Sequence, residues 1–186
     1  TRTITRLNLA DVLSRRGALA QAADHAQHAL DRAEVGGDPG LVGWAHQRIA
    51  GLLTRRGAFD EARDHALMAL GARSDDATGR LGAAAERALA ELDASELASR
   101  VSRGEAASPA RLEAVGNRFV RSVLRARATG DQPRIALALE GYADFLETCD
   151  AGRRARKVRL EAEELRTWMI GAATPPGQAW LPTLEA

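Results

Sequence analysis

The sequence has little of several features that mark particular classes of protein. Cysteine occurs once, at Cys149, so no intrachain disulfide can form, and a reducing compartment such as the cytoplasm is expected. Aromatic residues make up only 4% of the chain, which leaves few platforms on which nucleic-acid bases could stack. No apolar run is long enough to predict a membrane span, and no basic start followed by an apolar block suggests a signal peptide.

The sequence also has no large excess of charge of either sign. The formal net charge is +1 although 27% of the residues are charged, so no general attraction to nucleic acid or to an anionic membrane is expected. Apolar residues make up 45% of the 186 residues, and runs of β-branched residues are few. This composition favours one domain of helices that pack closely through alanine and leucine.

The sequence does contain an internal repeat. The segment LADVLSRRGALAQAADHAQHAL, which starts at Leu9, returns 40 residues later as IAGLLTRRGAFDEARDHALMAL, which starts at Ile49. A period of this length is typical of a supersecondary unit that buries its apolar face by stacking on copies of itself. The repeat therefore predicts a helical solenoid.

Small residues keep the same spacing in both copies. Alanine lets two helices approach closely where they cross, and glycine permits the positive φ of a tight turn. Each copy therefore predicts a helix, a glycine turn and a second helix. The repeated positions are Ala10, Gly17, Ala22 and Ala29 in the first copy and Ala50, Gly57, Ala62 and Ala69 in the second.

This pattern resembles the tetratricopeptide repeat family, whose motif has a small residue on the first helix, a glycine at the turn and two alanines on the second helix. The segment GAFDEARDHALMAL is a close match. A weaker third copy places Ala143, Asp150, Ala155 and Ala162 at the same spacing, with aspartate in the place of glycine. The resemblance implies an all-α fold of helical hairpins stacked in a right-handed solenoid.

We predict one repeat domain over residues 1–171, followed by an irregular tail at 172–186. Clear repeats cover 3–73 and 135–170, and the middle, 74–134, is degenerate. The period is longer than is usual for the family, so a less regular superhelix is expected.

About nine helices are predicted from the caps, turns and apolar periodicity. They are 3–16, 18–34, 39–56 and 58–73, a fifth from the cap Ser74-Asp75-Asp76 to Leu92, a sixth at 95–103, and three more that carry apolar stripes beginning at Leu112, Ile135 and Ala155. Asp38 before Pro39 is predicted to cap the third helix, and Ser108 before Pro109 is predicted to open the seventh.

Catalytic and metal-binding patterns are not apparent. His25 and His28 lie three residues apart on one predicted helix, but no acidic or cysteine cluster joins them at ligand spacing. Cys149 lies beside Glu147 and Asp150, an acidic setting that does not suit a nucleophile. No glycine-rich phosphate loop follows a strand. The sequence therefore predicts no enzyme, no cofactor and no metal.

A basic stripe is predicted on one helix, formed by Arg111, Arg118, Arg121 and Arg125. It could contact phosphates, but a solvated helix face would look the same, and acidic residues lie nearby in the sequence. Because no groove-reading motif accompanies the stripe, we predict no sequence-specific binding of nucleic acid.

The resemblance also implies a binding groove, because the first helix of each tetratricopeptide hairpin lines the concave surface. Polar and charged residues stand opposite the apolar face of these helices, as a groove requires, although a plain solvated face would have the same composition. The candidate partner-binding residues are Asp11, Ser14, Arg15, Trp44, Gln47, Thr54 and Arg55, with Glu140, Asp144 and Glu147 from the late copy.

Arg15 and Arg55 occupy equivalent positions in the two copies. Two guanidinium groups on one surface would suit an acidic peptide or a C-terminal carboxylate. The alternative is that each arginine only complements the negative end of its helix.

Three classes of function stay open. A scaffold that recognises a protein or peptide leads. A module that senses a small effector is second, because the late segment ALALEGYADFLETCDAGRRARKVRLEAEELR resembles the C-terminal repeat region of large bacterial transcriptional regulators. A biosynthetic enzyme or its helper is third, and self-association is open. An enclosed pocket at Trp44 would favour a small effector, and an open groove a peptide.

Overall fold

The computed structural model describes residues 2–72 and 79–170, which form helices and contain no strand. Eight helices are present in these ranges: α1 (Arg2–Arg15), α2 (Leu19–Val35), α3 (Pro39–Arg56), α4 (Phe59–Gly71), α5 (Arg80–Ser102), α6 (Pro109–Ala128), α7 (Gln132–Thr148) and α8 (Gly152–Ile170).

The helices pack as four consecutive hairpins. Within each hairpin the two helices pair as α1 with α2, α3 with α4, α5 with α6, and α7 with α8, and each hairpin packs on the next one. The first helices also contact one another in the order α1, α3, α5, α7. They therefore form one continuous layer, and the predicted stack of helical hairpins is confirmed.

The hairpin turns adopt the backbone conformation that the repeat predicts. Gly17 and Gly57 have φ angles of 80° and 77°, in the left-handed region that favours glycine. Asp150 stands at the equivalent turn of the late copy and takes the same region, with φ of 57°. Aspartate tolerates this conformation better than most residues, so the third copy keeps its turn without glycine.

The repeated alanines lie at the helix crossings. Ala22 and Ala62 have no exposed surface, and Ala155 of the late copy has none either. Side chains larger than a methyl group would separate the two helices at these points. The spacing of small residues therefore predicted the packing correctly.

The middle of the chain is more regular than we predicted. Residues 80–102 form one helix, α5, where the sequence predicted two helices separated near residue 94. Ser95 does not cap a new helix, because its hydroxyl donates to the carbonyl of Glu91 at 2.8 Å within the helix. Asp93 instead forms ion pairs with Arg63 and Arg118. The described helices consequently number eight instead of about nine.

Two predicted helix starts are confirmed by their caps. The Asp38 carboxylate accepts from the amide of Leu41 at 3.0 Å, and the Ser108 hydroxyl accepts from the amide of Arg111 at 3.3 Å. The predicted cap at residues 74–76 and the predicted tail at 172–186 lie outside the described residues. Among the helices that are described, none combines the length and the apolarity needed to cross a membrane.

Candidate functional site

A concave groove of about 1250 Å³ runs along the layer of first helices, with side chains from α1, α3, α5 and α7 in its walls. Its lining combines long polar side chains from these four helices with seven alanines, which are Ala10, Ala72, Ala83, Ala84, Ala88, Ala126 and Ala138. The charged residues of its lining are the arginines Arg15, Arg48, Arg55, Arg80, Arg87 and Arg134 and the carboxylates Asp11, Asp38, Glu91 and Asp131.

Two of the carboxylates are each shared between two arginines. Asp11 contacts Arg48 at 2.7 Å and Arg15 at 3.1 Å. Asp131 contacts Arg80 at 3.3 Å and Arg134 at 3.1 Å, and thereby joins the start of α5 to the start of α7. Because one carboxylate neutralises only one guanidinium, each of these clusters keeps a positive charge on the groove wall.

Arg48 is a largely buried arginine of the groove, with 29% of its side chain exposed. Burial lowers the pKa of Arg48, Asp11 acts in the opposite direction, and the positive charges of Arg87, Arg15 and Arg134 lower this pKa further. The Nε of Arg48 is buried and has no hydrogen-bond partner. An anion in the groove would relieve both the repulsion among these guanidinium groups and the unused donor.

Arg55 joins the first two hairpins. Its Nη1 donates to the backbone carbonyl of Ser14 at 2.8 Å, near the end of α1. The last carbonyls of a helix have no partner within the helix, so this bond satisfies one of them across the hairpin boundary. Arg15 differs, because its side chain is 73% exposed and pairs with Asp11 on its own helix.

The structure brings part of the predicted site together. The candidate residues of the first two copies all lie along the groove: Asp11, Ser14, Arg15, Trp44, Gln47, Thr54 and Arg55. Trp44 also packs partly against the apolar core of the first hairpin. The lining is spread over four helices and is not centred on Trp44.

The three candidates from the late copy are not among the residues that line this groove. Glu140 contacts Arg166 at 2.6 Å, and Asp144 and Glu147 contact Arg159 at 2.8 and 3.0 Å. They face α8 across the last hairpin, since only the first half of α7 reaches the groove. Their carboxylates are thus used to hold the two helices of that hairpin together.

Several groove residues were missed by the sequence reasoning. Arg80, Arg87, Glu91 and Ser95 recur along α5 at spacings of about two turns or one turn, which places them on one helix face. The signal was present, but it lies in the segment that we interpreted as degenerate. Arg48 and Arg134 were missed because their significance comes from the neighbouring helices.

The predicted basic stripe on α6 is largely paired with α5. Arg118 contacts Asp93 at 2.6 Å, Arg111 contacts Glu96 at 2.9 Å, and Arg125 contacts Glu86 at 3.5 Å. These carboxylates hold the guanidinium groups against the protein, so the stripe acts mainly as a joint between two helices.

His46, His65 and Cys149 contact other residues inside the protein. His65 of α4 and His46 of α3 face each other with 2.9 Å between their Nδ1 atoms. Cys149 packs against the apolar core of the last two hairpins. Within residues 2–72 and 79–170, no three histidine, cysteine or acidic side chains are grouped so that they could hold a metal ion.

The fold and the groove define a helical-repeat protein that presents one concave surface. Residues 1–75 match the sequence model of the tetratricopeptide repeat family, so this part of the chain consists of tetratricopeptide repeats. The repeats of this family commonly mediate interactions between proteins and generally act as scaffolds without catalysis.

The crystal structure of BtubC (BKLC) from P. vanneervenii is similar in fold. It superposes with a TM-score of 0.60 over 99% of this chain and 70% of its own, at 15% sequence identity. A search of curated proteins found no match. These comparisons do not confirm the resemblance of the late segment to bacterial transcriptional regulators.

Proposed function

We propose that this chain recognises a protein partner by binding an extended acidic segment of it along the groove. The observation that carries the proposal is the excess of arginine over carboxylate on one concave surface, with Arg48 partly desolvated among Arg15, Arg87 and Arg134. Guanidinium groups match carboxylates in geometry and charge, and bind them through paired hydrogen bonds.

The size and shape of the groove favour an extended segment over a small effector. Its volume of about 1250 Å³ exceeds the range of about 300–1,000 Å³ that is usual for small-molecule sites. The lining comes from four successive hairpins, so a ligand that contacts all of it must be elongated. A groove of this kind suits a scaffold, and an effector-sensing role would call for a more enclosed site.

The two arginines predicted from the repeat have different roles in this proposal. Arg15 is exposed and free to exchange Asp11 for a carboxylate of the partner. Arg55 is held by the carbonyl of Ser14, so we expect it to contribute mainly to the junction between the first two hairpins. Arg15→Ala should therefore weaken binding with little change in the melting temperature, and Arg55→Ala should lower the melting temperature.

Binding can be tested with a defined acidic probe. A fluorescein-labelled peptide of alternating glutamate and serine, about ten residues long, is titrated by anisotropy, with the glutamine–serine peptide of equal length as the uncharged control. We expect saturable binding of the acidic peptide alone, which weakens as salt is raised because exposed charges are screened. Equal binding of both peptides, or no binding of either, would contradict the proposed acidic ligand.

A matched pair of variants locates the binding to the groove. Arg87→Gln/Arg134→Gln removes two groove charges, and Arg121→Gln/Arg153→Gln removes two charges from exposed positions outside the groove lining. Hydrogen bonds to charged groups contribute about 1.5–3 kcal/mol each, so the groove variant should bind at least about tenfold more weakly. The control variant should bind within about twofold of the parent, because it changes only distant, screened charge.

A further inference from the structure

The two early repeats differ in burial on their first helices, and two apolar positions show the difference most clearly. Their second helices, α2 and α4, have nearly the same sequence of buried and exposed positions. Their first helices do not: Leu9 and Val12 of α1 are 40% and 46% exposed, and the equivalent Ile49 and Leu52 of α3, 40 residues on, are 8% and 4% exposed. Both copies carry apolar residues at these two positions, but only the residues of α3 are buried.

The second copy shows the role of these apolar positions, because there they are buried in an interface between hairpins. Ile49 and Leu52 belong to the apolar cluster that joins α3 to the first hairpin, together with Ala45. Leu30 of α2 lies in the same cluster. The face of α3 that carries these residues is thus the interface with the preceding hairpin. Among residues 2–72 and 79–170, no hairpin packs against the same face of α1.

The other end of the solenoid is built differently. Where α2 has the buried residues Leu30 and Ala33, the late copy has Glu163 and Arg166 at the corresponding positions of α8, and both are exposed. Neighbouring exposed positions of α8 carry further charge at Arg156. A charged outer face is what a terminal repeat needs in water, whereas α1 carries the exposed Leu9 and Val12 on its outer face.

We infer that the outer face of α1 is a repeat interface, and that its occupant is one more helical hairpin of this class, which continues the stack one period ahead of α1. That hairpin must present small and aliphatic residues to Leu9 and Val12, as α2 presents Leu30 to α3. The contact extends an interface that already exists inside the molecule, with the same residue types in the same register.

A second copy of this chain fits the surface less well. Its α8 face is charged, so head-to-tail stacking would bury charges against leucine and valine. Packing of two α1 helices against each other would bring the exposed Arg2 and Arg16 of both copies together. Neither arrangement reproduces the apolar contact that covers Ile49 and Leu52.

The test supplies the missing hairpin in register. A tandem chain is made in which a copy of residues 1–40 is joined directly before Thr1, so that the 40-residue period of the repeat is kept. Amide hydrogen exchange of α1 in the original chain and the melting temperature are measured. We expect exchange in residues 5–13 to slow by at least about tenfold and the melting temperature to rise, because α1 then lies inside the stack.

Two charged variants of the tandem chain make the result specific. Leu9→Glu/Val12→Glu in the original copy should abolish the protection, because it buries two carboxylates at the new interface. Leu67→Glu/Met68→Glu is the matched control, since these α4 residues are 50% and 52% exposed and correspond to the polar Gln27 and His28 of α2. The control should keep the protection.

Three results would overturn the inference. The first is unchanged exchange of α1 in the tandem chain, and the second is protection that survives Leu9→Glu/Val12→Glu. The third is a dimer of the 186-residue chain, seen by analytical ultracentrifugation and dissociated by Leu9→Glu/Val12→Glu, which would assign the surface to self-association. The same double variant in the 186-residue chain should melt like the parent, because both side chains are exposed there.

Discussion

At the scale of single residues, the chain uses arginine in two ways that its sequence does not distinguish. Arg63 of α4 contacts Asp93 at 2.7 Å and Glu96 at 2.8 Å, and Arg118 of α6 contacts the same aspartate. These arginines join α4, α5 and α6, and their guanidinium groups are used in ion pairs within the protein. Arg48 of the groove differs, because its Nε is buried and has no hydrogen-bond partner, which leaves a charged donor for a ligand.

The His46 and His65 pair gives the molecule a pH-dependent contact. With 2.9 Å between the Nδ1 atoms, one ring must donate its N–H and the other must accept it, so both rings cannot be protonated. Burial lowers the pKa of His46, and His65 lowers it further, against the raising effect of Glu34 on α2. Burial also lowers the pKa of His65, against Asp64 and Glu61 on α4.

These shifts fix the direction of a pH effect on stability. Because the folded-state pKa values lie below the ordinary histidine value, the contact contributes fully above about pH 6.5 and is lost as the pH falls below it. We expect the melting temperature to fall from about pH 7.5 to about pH 5.5, and His65→Asn to reduce that fall, since asparagine can keep a hydrogen bond without titrating.

Thermal melts at the two pH values measure this effect. His28→Asn is the control, because His28 is an exposed histidine of α2, and it should leave the fall unchanged. An equal fall in His65→Asn and in the parent would mean that other groups carry the pH dependence.

The limit of sequence reasoning is also visible at this scale. Arg15, Trp44 and Arg55 could be placed on the groove because the repeat pattern identifies the first helix of each hairpin, and in the family that it resembles these helices line the concave surface. The contact of Arg80 with Asp131 joins residues from different hairpins, and no local spacing predicts it. Glu140 was assigned to the groove as part of the late copy, but α7 lines the groove only with its first half, and the sequence of α7 alone does not show this.

At the scale of helices, the small residues of the repeat decide how closely each hairpin packs. Ala62 of α4 is fully buried at the crossing with α3, in a position equivalent to Ala22. Ala62→Leu adds three carbons where there is no space, and overpacking of this kind costs about 1–3 kcal/mol of the free energy of unfolding. Urea denaturation of the variant and the parent measures the difference.

An exposed alanine provides the reference for this substitution. Ala20 lies on the solvent side of α2, and Ala20→Leu should change the free energy of unfolding by less than about 0.5 kcal/mol, because leucine is nearly as good a helix former as alanine. If the two variants were equally stable, the interpretation of the repeated spacing of small residues as a packing signal would be wrong.

Helix boundaries were predicted best where a cap or a turn marks them in the sequence. Asp38 before Pro39 and Ser108 before Pro109 begin α3 and α6, as predicted. The continuity of α5 could not be predicted from its own residues, because Asp93 and Ser95 are typical cap residues. Their role is decided by Arg63 and Arg118 of the neighbouring helices, which draw Asp93 into ion pairs.

At the scale of the whole molecule, positive charge is divided between two surfaces with different properties. The net charge of +1 conceals an arginine-rich groove on the layer of first helices and an arginine stripe on α6 that the carboxylates of α5 hold in ion pairs. The groove is a concave surface for an elongated ligand. The stripe contributes to the junction between α5 and α6.

The difference between the groove and the stripe on α6 predicts how the protein binds nucleic acid. Arg111, Arg118 and Arg125 are engaged with Glu96, Asp93 and Glu86, so phosphates would have to displace existing ion pairs. Of the four arginines in the stripe, Arg121 is an exposed one that could add a contact with a phosphate. We therefore expect only weak, salt-sensitive binding of DNA, without sequence preference.

Selection from a pool of random duplexes at about 150 mM salt, followed by anisotropy on any enriched sequence, measures both affinity and preference. We expect no enriched sequence and no submicromolar binding, and Arg121→Gln should reduce the residual binding seen at low salt. The groove variant Arg87→Gln/Arg134→Gln separates the two surfaces: it should leave that residual binding nearly unchanged if the stripe is responsible. Sequence-selective, submicromolar binding at this salt would contradict the prediction, and its loss in the groove variant would show that the groove accepts a nucleic acid in place of an acidic peptide.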